Sequence, residues 1–309
     1  EDFLDDDGIA TDRPVRIHAR VTIEGDSLTV DLSGSALQVD GPINATLGSS
    51  SSSVYYAVMA CADRPIAPNA GCYRPVTIIA PEGSIVNARH PAPVANRIAP
   101  GHVLLNVLLA ALSKAVPERM PAAYYAVSYI CSFQTIAADA SRRVLVEIEV
   151  GGCGAHPKGD GASAFSFGMH NNASIPMEMI ESDMPVTFMG YGLRPDSGGA
   201  GAHRGGLGLI RSWRIDSDRA TFTGQMDRFR FRPFGLAGGE PAALGRLTLI
   251  RDGRETPLHS KVGNMELVKG DIIRLETSGG GGHGRPEERS KEAVERDLRL
   301  GYVTAGRAG

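Results

Sequence analysis

A chain of 309 residues with 42% hydrophobic and 22% charged side chains has the composition of a globular protein, long enough for one large core or two. No apolar run approaches the ~18 residues of a membrane span, and a formal net charge of -3 lacks the clustered Lys and Arg that a nucleic-acid partner needs. Glycine is in excess, 38 residues where ~7% of a chain is usual, and together with 19 prolines it predicts many tight turns.

The opening EDFLDDDG has no initiator methionine and no targeting segment, which reads as the start of a fragment or processed part of a longer subunit. Residues 15–32 alternate apolar and polar side chains on either side of EGDS and predict a hairpin. Ser49 to Ser53 stand as start signals for a helix over VYYAVMACA. YRPVTIIAPEGSIV, 73–86, predicts a strand, a Pro-Glu-Gly turn and a second short strand, followed by a proline-rich connector. Residues 101–116 are apolar around nearly the whole circumference and stop before Pro117, which predicts a buried helix. Two strands are expected between Tyr124 and Val150. The stretch 151–208 is glycine-rich and weakly periodic, with one short helical candidate at PMEMIESDM. Strands return at LGLIRSWRID, RATFTGQM, LGRLTLIRD and DIIRLET, spaced for an antiparallel sheet. PEERSKEAVERDLRLG begins with proline, carries acids early and ends in glycine, the signature of an amphipathic helix.

The expected fold class is α+β, strand-rich with mixed and antiparallel sheets, a buried helix near 101–116 and a C-terminal amphipathic helix. A division is expected into residues 1–150, with the hairpin and buried helix, and 151–309, with the glycine-rich loops, the later strands and the last helix.

Several chemistries can be weighed on spacing alone. Cys61, Cys72, Cys131 and Cys153 form no CxxC pair and read as free thiols of a cytoplasmic protein, so the sequons at Asn44 and Asn172 carry no glycan. Gly279, Gly281 and Gly284 satisfy GxGxxG between a strand and a helix, but a dinucleotide fold needs another parallel strand and an acid ~20 residues further on. There is no G-K-[S/T] for a phosphate loop. The eight histidines, at 18, 90, 102, 156, 170, 203, 259 and 283, show no HxH or HxxxH spacing, so no metal site is expected from them.

Two stretches hold the candidate residues. In 170–185, Glu178 and Glu181 share a face if helical. They are either a solvent-facing pair or carboxylates for acid–base work, with Asn171 and Asn172 as amide partners of a substrate. In DSGGAGAHRGGLG, 196–208, Asp196 suits a side-chain-closed turn and Arg204 is a fork for a carboxylate. Either an Asp196–Arg204 ion pair closes this loop or the loop binds an anion or a partner. Its glycines, like those of TSGGGGHG, read as backbone freedom for a shaped loop.

EDFLDDDGI, PNAGCYRPVTIIAPEGSIVNARHPAPV, GDGASAF, NNASIPMEMIESDMPV, YGLRPDSGGAGAHRGGLG and GGGGHGRPEERSKEAVERDLRLGYVT follow one another as in the hydantoinase B/oxoprolinase family, which the chain resembles over nearly its whole length. The resemblance implies an ATP-dependent enzyme of two subunit types. A hydantoinase A-type subunit carries ATP and Mg and phosphorylates the substrate carbonyl. The B-type subunit completes hydrolysis of a cyclic amide such as 5-oxoproline or a hydantoin. In the related acetone and acetophenone carboxylases, similar subunits support attack of an activated enol on a carboxylating species.

B-type subunits are longer, with an N-terminal portion bearing His and Asp ligands for a divalent metal, Zn or Mn. The chain therefore resembles the C-terminal portion, with no cofactor expected on it alone. The implied partners are the A-type subunit, the N-terminal half of the B-type subunit and a small-molecule substrate. Within the matching motifs, Glu178 and Glu181 are the candidate catalytic residues, and Asn172, Asp196 and Arg204 the candidate substrate-binding residues. Cys153 stands where the family commonly has an aromatic, and His170 where a small polar residue is usual. Two alternatives remain open: a ketone carboxylase subunit on the same scaffold, and a non-catalytic half that braces the complex.

Overall fold

The computed structural model describes residues 1–62, 66–136 and 141–307. Strand β1 (Asp2–Leu4) pairs antiparallel with β2 (Val15–Ile17), and β3 (Arg20–Glu24) turns through Gly25, at φ 61°, into β4 (Ser27–Asp31). The expected hairpin is thus β3–β4, while β2 leaves it to pair with the N-terminal strand. Strand β5 (Val76–Ile79) adds parallel to β4 and makes this small sheet mixed. The second strand expected near 84–86 does not extend: Ser84 forms isolated bridges to Leu37 and Asn87, while Ile85 and Val86 fill the core.

Helix α1 (Leu47–Ala60) contains the serines that were expected to precede it. Their hydroxyls bond other segments instead of capping: Ser50 donates to the Val86 carbonyl at 2.6 Å and Ser53 to that of Gly101 at 3.0 Å. A four-residue helix α2 (Ala70–Tyr73) follows. Helix α3 (Ile98–Leu112) is the buried helix, shifted three residues toward the N-terminus because Pro100 lies in the first turn, where no N–H is needed. Leu104 and Leu105 are fully buried, and α3 packs on α1 and β1.

Strands β6 (Tyr129–Ile136) and β7 (Arg142–Glu149) form an antiparallel pair. Helix α4 (Met177–Asp183) leads into β8 (Val186–Leu193), followed by β9 (Leu209–Ile215), β10 (Arg219–Gln225), β11 (Arg246–Arg251), β12 (Arg254–Leu258), β13 (Lys261–Val268) and β14 (Ile272–Glu276). One sheet has the order β13-β10-β6-β7 and the other β12-β11-β14-β9-β8. The first joins strands from both sides of residue 150. Strands β8, β12 and β13 were not anticipated. Much of β8 and β12 faces outward, so burial did not impose the alternation that makes a strand legible.

The last helix, α5 (Lys291–Arg299), starts after Pro286 because Pro286–Glu288 form a separate 3-10 turn and Ser290 is the cap, its hydroxyl accepting the Ala293 N–H at 3.2 Å. Gly301 follows at φ 68°.

Three glycine runs, 151–154, 198–208 and 279–284, lie against one another as unsheeted backbone. The reason is mostly steric. A Cβ on Gly280 would sit 1.9 Å from the Cys153 carbonyl oxygen, one on Gly205 1.8 Å from that of Gly280, and one on Gly206 1.9 Å from that of Ala162. Within 279–284 only Gly284 has positive φ. The expectation of backbone freedom is therefore corrected: the glycines are required because chain packs on chain with no room for a side chain.

Candidate functional site

The interlocked glycine runs consume their own hydrogen-bond donors. Gly280, Gly281, Gly282, His283 and Gly284 donate their N–H groups to the carbonyls of Gly206, Ala123, Glu240, His203 and Leu236 at 2.8–3.1 Å. A turn whose N–H groups are engaged in this way has none of them to offer a phosphate.

Beside this interlock opens a cavity of about 960 Å³, bounded by α5 and the segment after it. Asp196 and Arg204, picked out in the sequence, both line it. They do not pair with each other. Asp196, at φ 58°, accepts the N–H and hydroxyl of Thr304, each at 2.8 Å. Arg204 is buried, donates from Nε to Asp297 at 3.1 Å and lies 5.3 Å from the Tyr302 ring centroid. Of the two alternatives for this loop, the Asp196–Arg204 ion pair is not formed: two separate ties to the C-terminal segment take its place, because that segment covers the loop.

Asp160 is the hub of these ties. It accepts the Arg204 N–H at 2.8 Å, two bonds from Arg289 at 2.8 and 3.0 Å, and one from Arg296 at 2.5 Å. Its carboxyl is held down at about 2, with burial opposing and Arg289 prevailing. Arg289 also donates to Asp297 at 2.6 Å, so α5 is clamped onto the glycine loops by charge-assisted bonds.

Among the described lining residues, Arg194, Arg204, Arg232, Arg246 and Arg289 face Asp196, Glu240 and Asp297, an excess of two positive charges (five less three). Arg194 is engaged by the Leu244 and Thr277 carbonyls, and Arg246 by Glu276. Arg232 is exposed and makes no ion pair among the described residues. This lining suits an anionic group.

The other candidate residues lie elsewhere. Glu178 and Glu181 are exposed on α4, and the Glu181 carboxylate accepts the Phe188 N–H at 2.7 Å, tethering α4 to β8. Asn172 is exposed, and its backbone N–H is donated to the Ser166 hydroxyl at 3.0 Å. Among the described residues no hydrogen bond or ion pair joins these three to Asp196 or Arg204.

A polar cluster escaped sequence reasoning. His102 on α3 and His170, 68 positions apart, meet at 2.9 Å between their Nε2 atoms, with Tyr124, Tyr125 and Ser128 around them. Burial depresses the basicity of His102 strongly and that of His170 to about 4. The one available signal was the unusual residue at position 170.

The family model for Hydantoinase B/oxoprolinase matches residues 1–286. A putative D-/L-hydantoinase from Pseudomonas sp. (strain NS671) is, in its B-type subunit, 32% identical over 320 residues, covering 99% of this chain and 52% of that polypeptide. The crystal structure of ATP-dependent caprolactamase from Pseudomonas jessenii superposes with a TM-score of 0.84 at 30% identity, over 94% of this chain and 52% of that one. A nucleotide-free acetone carboxylase structure gives the same TM-score at 20% identity, over 98% of this chain and 46% of that one, a likeness of fold alone. The chain spans about half the length of these relatives. On the strength of the family match and this shared fold, the chain belongs to the Hydantoinase B/oxoprolinase family.

Proposed function

We propose that the chain serves as the C-terminal part of the B-type subunit of an ATP-dependent cyclic-amide hydrolase, working with an A-type subunit that binds ATP. The observation that carries this reading is the likeness to caprolactamase, at 30% identity across 94% of the chain. The arginine-rich cavity fits the chemistry. A carbonyl phosphorylated on the partner arrives as an anion, and Arg232 with Arg246 would hold it without first breaking the Asp160 network. Asp196 and Arg204 act through the C-terminal segment that walls the cavity. Glu178 and Glu181 lie outside that cavity, and of the two Glu178 is the better candidate for acid–base work, since the Glu181 carboxylate accepts the Phe188 N–H. Asn172, likewise exposed, would offer its side-chain amide to a substrate.

Among the described residues no group of three or more His, Cys, Asp or Glu is placed to hold a metal ion, so no step here is routed through the divalent metal that the family resemblance implies. The test is product analysis of the reconstituted complex with hydantoins and lactams. ATP-dependent release of the ring-opened amino acid without bicarbonate is expected; bicarbonate incorporation into a ketone would instead establish the carboxylase reading. Arg232→Ala is expected to raise KM about tenfold with the fold intact, the loss of one charge-assisted contact.

A further inference from the structure

A second cavity, of about 450 Å³, lies within one residue of the arginine-rich one: Asp160 lines it, and the Arg204 N–H and Arg289 guanidinium that bond Asp160 belong to the other lining. Its walls are mostly apolar. Tyr56 from α1 and Leu109 from α3 meet Met120, Phe165 and Phe167, and the rings of Tyr56 and Phe167 stand edge to face with centroids 6.4 Å apart. Tyr56 and Phe165 are 38% and 55% exposed, so two large rings on this lining stay open to solvent instead of packing into the core. A concave site of this size with aromatic walls is in the range that holds a small organic molecule.

The charged groups on the lining are already engaged. Asp160 is held by Arg289 and Arg296, while Arg119 donates to the Cys61 carbonyl at 2.8 Å and lies 3.5 Å from the Glu118 carboxylate. Their formal charges cancel, one positive against one negative, where the first cavity has an excess of two positive charges (five less three). Burial pushes the Cys153 thiol up to about 12, so it lines the cavity as a neutral group. The polar groups still open are neutral donors. Neither the N–H of Gly154, a buried residue, nor the Tyr56 hydroxyl makes a hydrogen bond among the described residues. His156 Nδ1 accepts the Lys158 N–H at 3.2 Å, so the neutral ring carries its proton on Nε2, which has no partner among them either. Buried backbone N–H groups are nearly always paired, and an unpaired one on a cavity wall marks a place for an acceptor.

We propose that this cavity binds the cyclic amide itself, as a neutral ring bearing an apolar side chain, before any phosphate is added; the choice of ring class rests on the hydrolase reading above. A carbonyl oxygen of the ring accepts from the open donors, and the side chain lies against Phe165 and Phe167. An anion is disfavoured, because a lining without net charge does not offset the cost of stripping its water. Neutral substrate and phosphorylated anion are thus met by different linings joined through Asp160.

The probe is 5-benzylhydantoin, a neutral cyclic amide with one aromatic side chain, titrated into the full chain by calorimetry with neither ATP nor a partner subunit present. Binding is expected in the parent and about tenfold weaker in Tyr56→Phe, which removes one hydrogen bond, and in Phe165→Ala, which removes one ring. Both positions are exposed, and unchanged melting temperatures would show that the variants fold. The ring-opened N-carbamoyl-phenylalanine, an anion, is expected to bind at least about tenfold more weakly than the ring. Absence of binding, equal affinities in the parent and both variants, or preference for the ring-opened acid would overturn the proposal. Turnover of the ring by the reconstituted complex, with a KM unmoved by either substitution, would also overturn it while leaving the hydrolase reading standing. Binding that responds to both substitutions without any turnover would uphold the site and sink the hydrolase reading.

Discussion

At the scale of single residues, glycine is decided by what surrounds it. Gly280 and Gly48 are indistinguishable as letters, yet a Cβ on Gly280 would meet the Cys153 carbonyl oxygen at 1.9 Å, while one on Gly48 would meet nothing within 4 Å. Gly280→Ala is expected to destabilise by at least ~3 kcal/mol through forced backbone movement. Gly48→Ala, in α1, should stabilise by ~0.5 kcal/mol through helix propensity. Urea unfolding of both variants checks the pair, and equal effects would refute the packing account. The sequence announced that these runs were special without revealing which property of glycine was in demand. Asp196 and Arg204 were likewise legible as unusual residues among glycines. Their partners Thr304 and Asp297 were not, being over 90 positions away.

At the scale of elements, β7 reverses the usual pattern. Its outward face carries Val144, Val146 and Ile148, all exposed, whereas Glu147 and Glu149 are buried. The cause is Arg211 of β9, fully buried between the rings of Phe188 and Tyr191, each 4.6 Å from its guanidinium, and paired with both glutamates. Two carboxylates share one cation. Burial pushes Glu149 up to about 7, with Arg211 only partly offsetting it. A carboxyl raised in the folded state binds its proton more tightly there than in the unfolded chain. Its contribution is therefore intact below the unfolded value of about 4.5 and is lost as pH rises through about 7. Glu149→Gln should match the parent in stability near pH 4.5 and exceed it above pH 7, as read by denaturant midpoints across that range; a constant difference at all pH values would contradict this. The second strand expected between Tyr124 and Val150 is present as β7, but the apolar positions of RRVLVEIEV suggest the wrong face as the inner one.

At the scale of the whole molecule, the sheet β13-β10-β6-β7 ties residues 129–149 to residues 219–268. A chain ending at residue 150 would leave β6 without β10 along six paired positions, exposing a strand edge and its core face. Residues 1–150 expressed alone are accordingly expected to lack a cooperative thermal transition, and a sharp transition in that fragment would show an independent unit. The sequence by itself determined the family, the α+β class, the buried helix and the capped C-terminal helix, because long ordered motifs, local periodicity and cap chemistry act over a few residues. Only the tertiary structure decided how the three glycine runs interlock, which carboxylates Arg204 and Arg211 meet, and that His102 lies against His170. Those outcomes depend on contacts between distant segments, and side-chain type alone does not encode which distant backbone will arrive at contact distance.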